Sequence, residues 1–188
     1  MEAEQVLFNE KIENETITLN QNIEFKNCYF YKVEFKSDEF IKISFVNTIF
    51  EDCSLNNLKI EDSSIIKVTF KNSSMVGIHI EDSLLKETNF INSNNIYSIV
   101  SNCKLETVKL ETCNFENSSI FNNILKNVVF ENVNLRKSEI TNTSFKDIDV
   151  TTSNIENMIV DLKSIVGMKV NKEQACSLSN LLGIKVIE

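Results

Sequence analysis

The sequence predicts an all-β repeat protein whose chain turns a corner after every five residues. Two spacings and one compositional oddity carry that reading: a large apolar residue at every fifth position, a match between residues twenty apart, and turns made almost without glycine or proline. Between Phe25 and Val170, 30 positions have numbers divisible by five; 29 are apolar, and Asn95 alone breaks the series. Eleven of the 13 phenylalanines fall on it. Neither the helical period of about 3.6 residues nor the strand alternation of about two gives this spacing. Each short extended piece must therefore end in a corner that brings the fifth side chain back inside.

The neighbouring positions agree. Two residues before the large apolar side chain stand small or β-branched ones, among them Cys28, Val33, Thr48, Cys53, Ser63, Val68, Ser73, Ser83, Thr88 and Ser93, suited to a second inward position with little room. Two residues after it, Asn or Asp fills 16 of the 27 positions from Asn27 to Asn157. Both tolerate left-handed backbone and hydrogen-bond their own turn. A chain with three glycines and no proline can thus turn repeatedly.

Pentads such as CNFEN (113–117), VNLRK (133–137) and TSFKD (143–147) resemble the pentapeptide-repeat family, whose motif runs small, Asp or Asn, Leu or Phe, polar, variable. The resemblance implies a right-handed quadrilateral β-helix, four pentads to a square coil. Residues n and n+20 should then stack on one wall, which the sequence tests independently. One wall collects Phe30, Phe50, Phe70, Phe90, Leu110 and Phe130, then Val150 and Val170; the opposite one collects Phe40, Ile60, Ile80, Val100, Ile120, Ile140 and Val160. Phenylalanine sorts to one side and β-branched residues to the other. Thirty pentads make seven to eight coils, a rod about 36 Å long at about 4.8 Å per strand. The expected division is an irregular first coil or cap over 1–22, in which Ile12 and Ile17 keep the five-residue spacing, the β-helix over 23–170, and a C-terminal segment over 171–188.

The formal net charge is −8, which argues against a nucleic-acid binder, since those present basic surfaces. Sorted by wall, the charge is uneven. The string IEDS occurs at 60–63 and again at 80–83, which stacks Glu61 on Glu81 and Asp62 on Asp82. Their wall also carries Asp38, Glu39, Glu139 and Asp161, eight acids against Lys42 and Lys59. The next wall has a small basic excess and the other two balance. Stacked like charges repel by roughly 1 kcal/mol per pair even in water. Such a ladder is either a chance cluster of solvated acids or a stripe kept for a basic groove.

After Val170 the five-residue period stops. Asn171 with Gln174 reads as an N-cap with its capping-box partner, Ala175, Leu178, Leu181 and Leu182 share a helical face, and Gly183 suits the C′ position. A short strand over 184–187 is expected to follow. The segment can close the open end of the β-helix, or form a dimer interface through Ala175, Leu178, Leu181, Leu182, Ile184 and Val186. With Gly167, Gln174, Leu178 and LLGIKV, it is similar to the ends of the Qnr quinolone-resistance branch of the pentapeptide-repeat family. That resemblance implies a head-to-head homodimer. It also implies an acidic DNA mimic that engages DNA gyrase and topoisomerase IV and protects them from fluoroquinolones. Many members of that branch carry loops that break the register, whereas here it runs unbroken from 25 to 170. The alternatives are a scaffold with another protein partner, or self-immunity against a gyrase-poisoning compound.

No enzymatic chemistry is expected. Cys28, Cys53, Cys103 and Cys113 all occupy the small inward position; Cys53 and Cys113 stand three coils apart, about 14 Å, too far for a disulfide. His79, the one histidine, should point outward beside Glu61 and Glu81, and a solid square core leaves no pocket for a catalytic site. No metal, cofactor, nucleic-acid or membrane partner is expected. The opening MEAEQVLFNEKIENE lacks the basic and apolar regions of a signal peptide, and the expected location is cytoplasmic.

Overall fold

A turn that recurs every fifth residue needs left-handed backbone at a fixed place. In the computed structural model, which describes residues 5–18, 22–36 and 39–187 (backbone only at 39 and 40), that place is two residues after each inward apolar side chain. Among the described residues from Asn27 to Asn157, every such position except Thr152 has φ between +47° and +67°. Asn and Asp bear this cheaply, but Thr107 and Thr112 are β-branched residues held at φ +57° and +55°, where their branched Cβ is disfavoured. Thr107→Asn, at an exposed corner, is expected to stabilise the protein by about 0.5–1 kcal/mol; urea denaturation measures it.

The corners fold the chain into four walls. Three are seven-stranded parallel sheets to which successive coils each add one strand. Pairing runs n to n+20, as in Ile60↔Ile80, Phe70↔Phe90 and Ile65↔Leu85. The fourth wall is knit more sparsely. After the short pair Thr16–Ile17 with Glu34–Phe35 it continues as single bridges, Glu34↔Ser54 through to Asn134↔Asn154. Its corners are closed locally, with Ser118 N–H donating to Phe115 O at 3.2 Å and Ser138 N–H to Leu135 O at 3.0 Å.

The every-fifth side chains meet along the axis. Phe25, Phe30, Phe45, Phe50 and Phe70 are fully buried, and Phe30, Phe50, Phe70 and Phe90 stack coil on coil with centroids 4.9–5.0 Å apart. The small inward residues satisfy backbone from the coil before. Ser73 Oγ and Ser93 Oγ donate to the carbonyls of Phe50 and Phe70, and Cys53 Sγ and Cys113 Sγ do the same to Phe30 and Phe90, all at 3.3–3.4 Å. The thiols thus stand in for serine. Burial pushes the Cys103 thiol up to about 11 and raises Cys53 and Cys113 as well, so these groups stay protonated at neutral pH.

Two expectations need correction, and the irregular first coil has a register of its own: it pairs with an offset of 18 where later coils pair at 20 (Leu7↔Phe25, Ile12↔Phe30, Ile17↔Phe35), because the chain between Ile17 and Phe25 is two residues short. Leu7 joins Ile12 and Ile17 against the core. Residues 184–187 form no strand and pair with none of the described strands; they follow a 3-10 turn at Asn180–Leu182 and lie exposed. Nor is the interior solid throughout, since an internal cavity occupies its middle coils.

Candidate functional site

The wall built from strands 39–41, 59–61, 79–81, 99–101, 119–121, 139–141 and 159–160 carries the sequence-predicted acids. Glu61 and Glu81 are register partners, each flanking an inward isoleucine and half-buried. Asp62 and Asp82 follow at exposed left-handed corners, φ +51° and +47°. The four carboxylates therefore sit on two adjacent coils along one wall and its edge.

Lys59 lies between the two glutamates, paired with Glu61 and 3.8 Å from Glu81. Ser101 Oγ donates to the Glu81 carboxylate at 3.0 Å. The contrast with the other walls is informative. Glu51 pairs with Lys71 at 2.7 Å; Lys109 bridges Glu111 and Glu131 at 2.7 and 3.0 Å; Arg136 bridges Glu116 and Glu156 at 2.6 and 3.4 Å. Those acids each have a basic partner, as Glu61 and Glu81 have in Lys59, whereas Asp62 and Asp82 have none among the ion pairs of the described residues. Among the ion pairs of the described residues, the block of Glu61, Asp62, Glu81 and Asp82 has only Lys59, and keeps an excess of negative charge.

The eight expected acids do not form one stripe. Asp38 and the side chain of Glu39 lie outside the described residues. Beyond Glu81 the wall presents Asn102, Ser119, Phe121 and Asn122, with Ser101 buried, so exposed Glu139 stands apart by three coils, about 14 Å. Asp161 is committed to structure: its carboxylate accepts from Asn142 N–H at 2.6 Å, Ser164 N–H at 2.9 Å and Ser164 Oγ at 2.8 Å. Those hydrogen bonds, led by the Asn142 amide, hold its pKa below the usual range. His79 stacks in register between Lys59 and Ile99.

At the far end, helix Lys172–Ser179 starts with the expected capping box between Asn171 and Gln174. Sequence reasoning missed the second task of Gln174. Its Nε2 donates to the carbonyls of Val150 and Ser153, both at 2.8 Å, fastening the helix over the last coils. Buried Gln174 and partly buried Leu178 thus form the inner face. Ala175, Leu181, Leu182, Ile184 and Val186 remain exposed, Leu182 at 63% and Val186 at 55%. Gln174→Ala strips the buried Ser153 carbonyl of its donor, leaves Val150 O with the Ser153 N–H alone, and is expected to cost about 1–3 kcal/mol, with thermal melting as the check. No helix of the described residues is long and apolar enough to cross a membrane.

Comparison with known proteins agrees with this architecture. A family model described as the pentapeptide repeat region matches residues 23–98 and 63–140. Among solved structures, the chain is similar to HetL, a pentapeptide repeat protein involved in heterocyst differentiation regulation from the cyanobacterium Nostoc, at 11% identity and TM-score 0.57, covering 90% of this chain and 85% of that one. It is also similar to a trypsin-treated form of QnrB1, a plasmid-mediated fluoroquinolone resistance protein, at 22% identity and TM-score 0.46, covering 96% of this chain and 99% of that one. Rfr23, a pentapeptide repeat protein from the cyanobacterium Cyanothece, matches at 15% identity and TM-score 0.44, over 66% of this chain and 88% of that one. None of the curated proteins matches in sequence.

Proposed function

Because the chain belongs to the pentapeptide-repeat family, we propose that it is an acidic, DNA-mimicking protein that binds DNA gyrase or topoisomerase IV and protects them from fluoroquinolones. The observation that carries the reading is the unbalanced block of Glu61, Asp62, Glu81 and Asp82, four acids on two adjacent coils whose one ion-pair partner among the described residues is Lys59. Four acids less Lys59 leave three net charges over two rungs of about 4.8 Å, one per about 3.2 Å, close to the charge spacing of one DNA strand, about 3.4 Å. A basic groove shaped for DNA meets a comparable charge density here. The C-terminal segment, which resembles the Qnr branch, adds the second element: its exposed Leu181, Leu182, Ile184 and Val186 supply apolar area for a homodimer that doubles the rod. Protection acts in the cytoplasm, where the enzymes are, and requires no catalysis.

A gyrase supercoiling assay titrated with the protein, with and without ciprofloxacin, tests the proposal. Restored supercoiling under the drug supports it. Inhibition without rescue removes drug protection but keeps mimicry, and no effect at high excess removes both. A scaffold for a different protein partner is the second reading, favoured by the confinement of the acid excess to two coils and the uncharged wall above it.

A further inference from the structure

Successive coils do not put the same volume inside. Phe45, Phe50, Leu55 and Ile60 fill one coil, whereas Asn95, Val100, Leu105 and Leu110 include no aromatic ring and one amide. The walls cannot draw in to compensate, because register pairing holds the twenty-residue circumference on both sides of the gap. Missing side-chain volume is therefore left as space. Phe70 and Met75 are 0% exposed, while the equally inward Val100, Leu105 and Ile120 each retain 8%. Between them lies an internal cavity of about 40 Å³, with walls of aliphatic and phenylalanine side chains and Asn95 and Ser98 as its polar members.

We propose that this cavity is a binding site for one small, neutral, mostly apolar molecule, of the class that xenon and short alcohols represent. Its volume exceeds the roughly 10–15 Å³ needed by a single water and falls well short of the roughly 150 Å³ of an apolar cavity that takes benzene. A charged guest is excluded, since nothing inside would answer the charge it brings out of water. An ordered water needs two to four polar partners, and this lining is nearly all hydrocarbon. It does offer one polar contact. Ser98 is 1% exposed and its Oγ has no hydrogen-bond partner, while the Asn95 amide nitrogen is engaged with Ser93 O at 3.3 Å. A guest with an apolar body and at most one hydroxyl matches that wall. Its presence restores dispersion contacts that the cavity lining lacks and stabilises the folded state by mass action.

Crystals equilibrated under xenon, together with methyl NMR during an ethanol titration, test the site. The expected result is a single xenon peak bordered by Val100, Leu105 and Ile120, and saturable shifts of their methyl groups with ethanol. Leu110→Phe, which continues the phenylalanine stack into the same space, should lose the peak and the shifts and raise the melting temperature. Val100→Ile fills the space from the opposite wall and makes the same test if Leu110→Phe does not fold. No xenon density in the wild-type cavity, or ordered waters filling it with hydrogen bonds to Asn95 and Ser98, overturns the proposal.

Discussion

Replacing Glu61, Asp62, Glu81 and Asp82 by lysine is expected to abolish gyrase binding while the β-helix stays folded. The neutral set Glu61→Gln, Asp62→Asn, Glu81→Gln and Asp82→Asn should weaken binding at least about tenfold, or about 1.4 kcal/mol. It should also flatten the salt dependence that an anionic ligand in a basic groove displays. Stability should change little. Glu61 and Glu81 are stacked register partners with one lysine between them, so removing their charges relieves repulsion of up to roughly 1 kcal/mol in water but also gives up the two Lys59 ion pairs. Circular dichroism and a melting curve beside the binding titration separate the two effects. A neutral variant that melts no lower yet still binds as the wild type shows that the block is not the contact surface.

The largest loss of stability is expected from Phe70→Ala, about 3–5 kcal/mol. Phe70 is fully buried and stacks on Phe50 at 4.9 Å and on Phe90 at 5.0 Å, so truncation removes two ring contacts and opens a void where the walls cannot close. Leu110→Ala, beside space already empty, should cost less, nearer about 2 kcal/mol. Guanidinium denaturation of both variants reads the difference. Because each coil touches only its neighbours, the Phe70→Ala transition should also broaden. A cost for Phe70→Ala no greater than for Leu110→Ala would mean that the phenylalanine stack does not dominate the core.

Period and register were legible because they depend on arithmetic that every coil repeats. Residue number alone placed Glu61 over Glu81 and Phe70 under Phe90, and the structure pairs them so. What escaped depends on single side chains or on breaks in the period. The reach of Lys59 between two glutamates is a rotamer choice that no spacing encodes. The buried bonds of Gln174 were hidden by its plausible role as a cap. The two-residue deficit of the first coil falls where the pentad pattern is absent, and the expected strand at 184–187 lacks a partner although its residues favour one. Asn95 was legible as an anomaly, but the void beside it came from the concurrent smallness of Val100, Leu105 and Leu110, which each look ordinary alone.

Beyond the first coil, pairing of n with n+20 on three walls also governs how such a chain can change length over generations. Loss or gain of twenty residues returns every later side chain to its own wall and alters only the height of the rod. Loss of five keeps the core periodic yet rotates everything downstream by a quarter turn, which would carry Glu139 to a different wall from Glu81. The gene can thus shift whole surfaces relative to one another by short deletions that leave the interior pattern intact, and angular phase becomes an inherited variable separate from sequence identity.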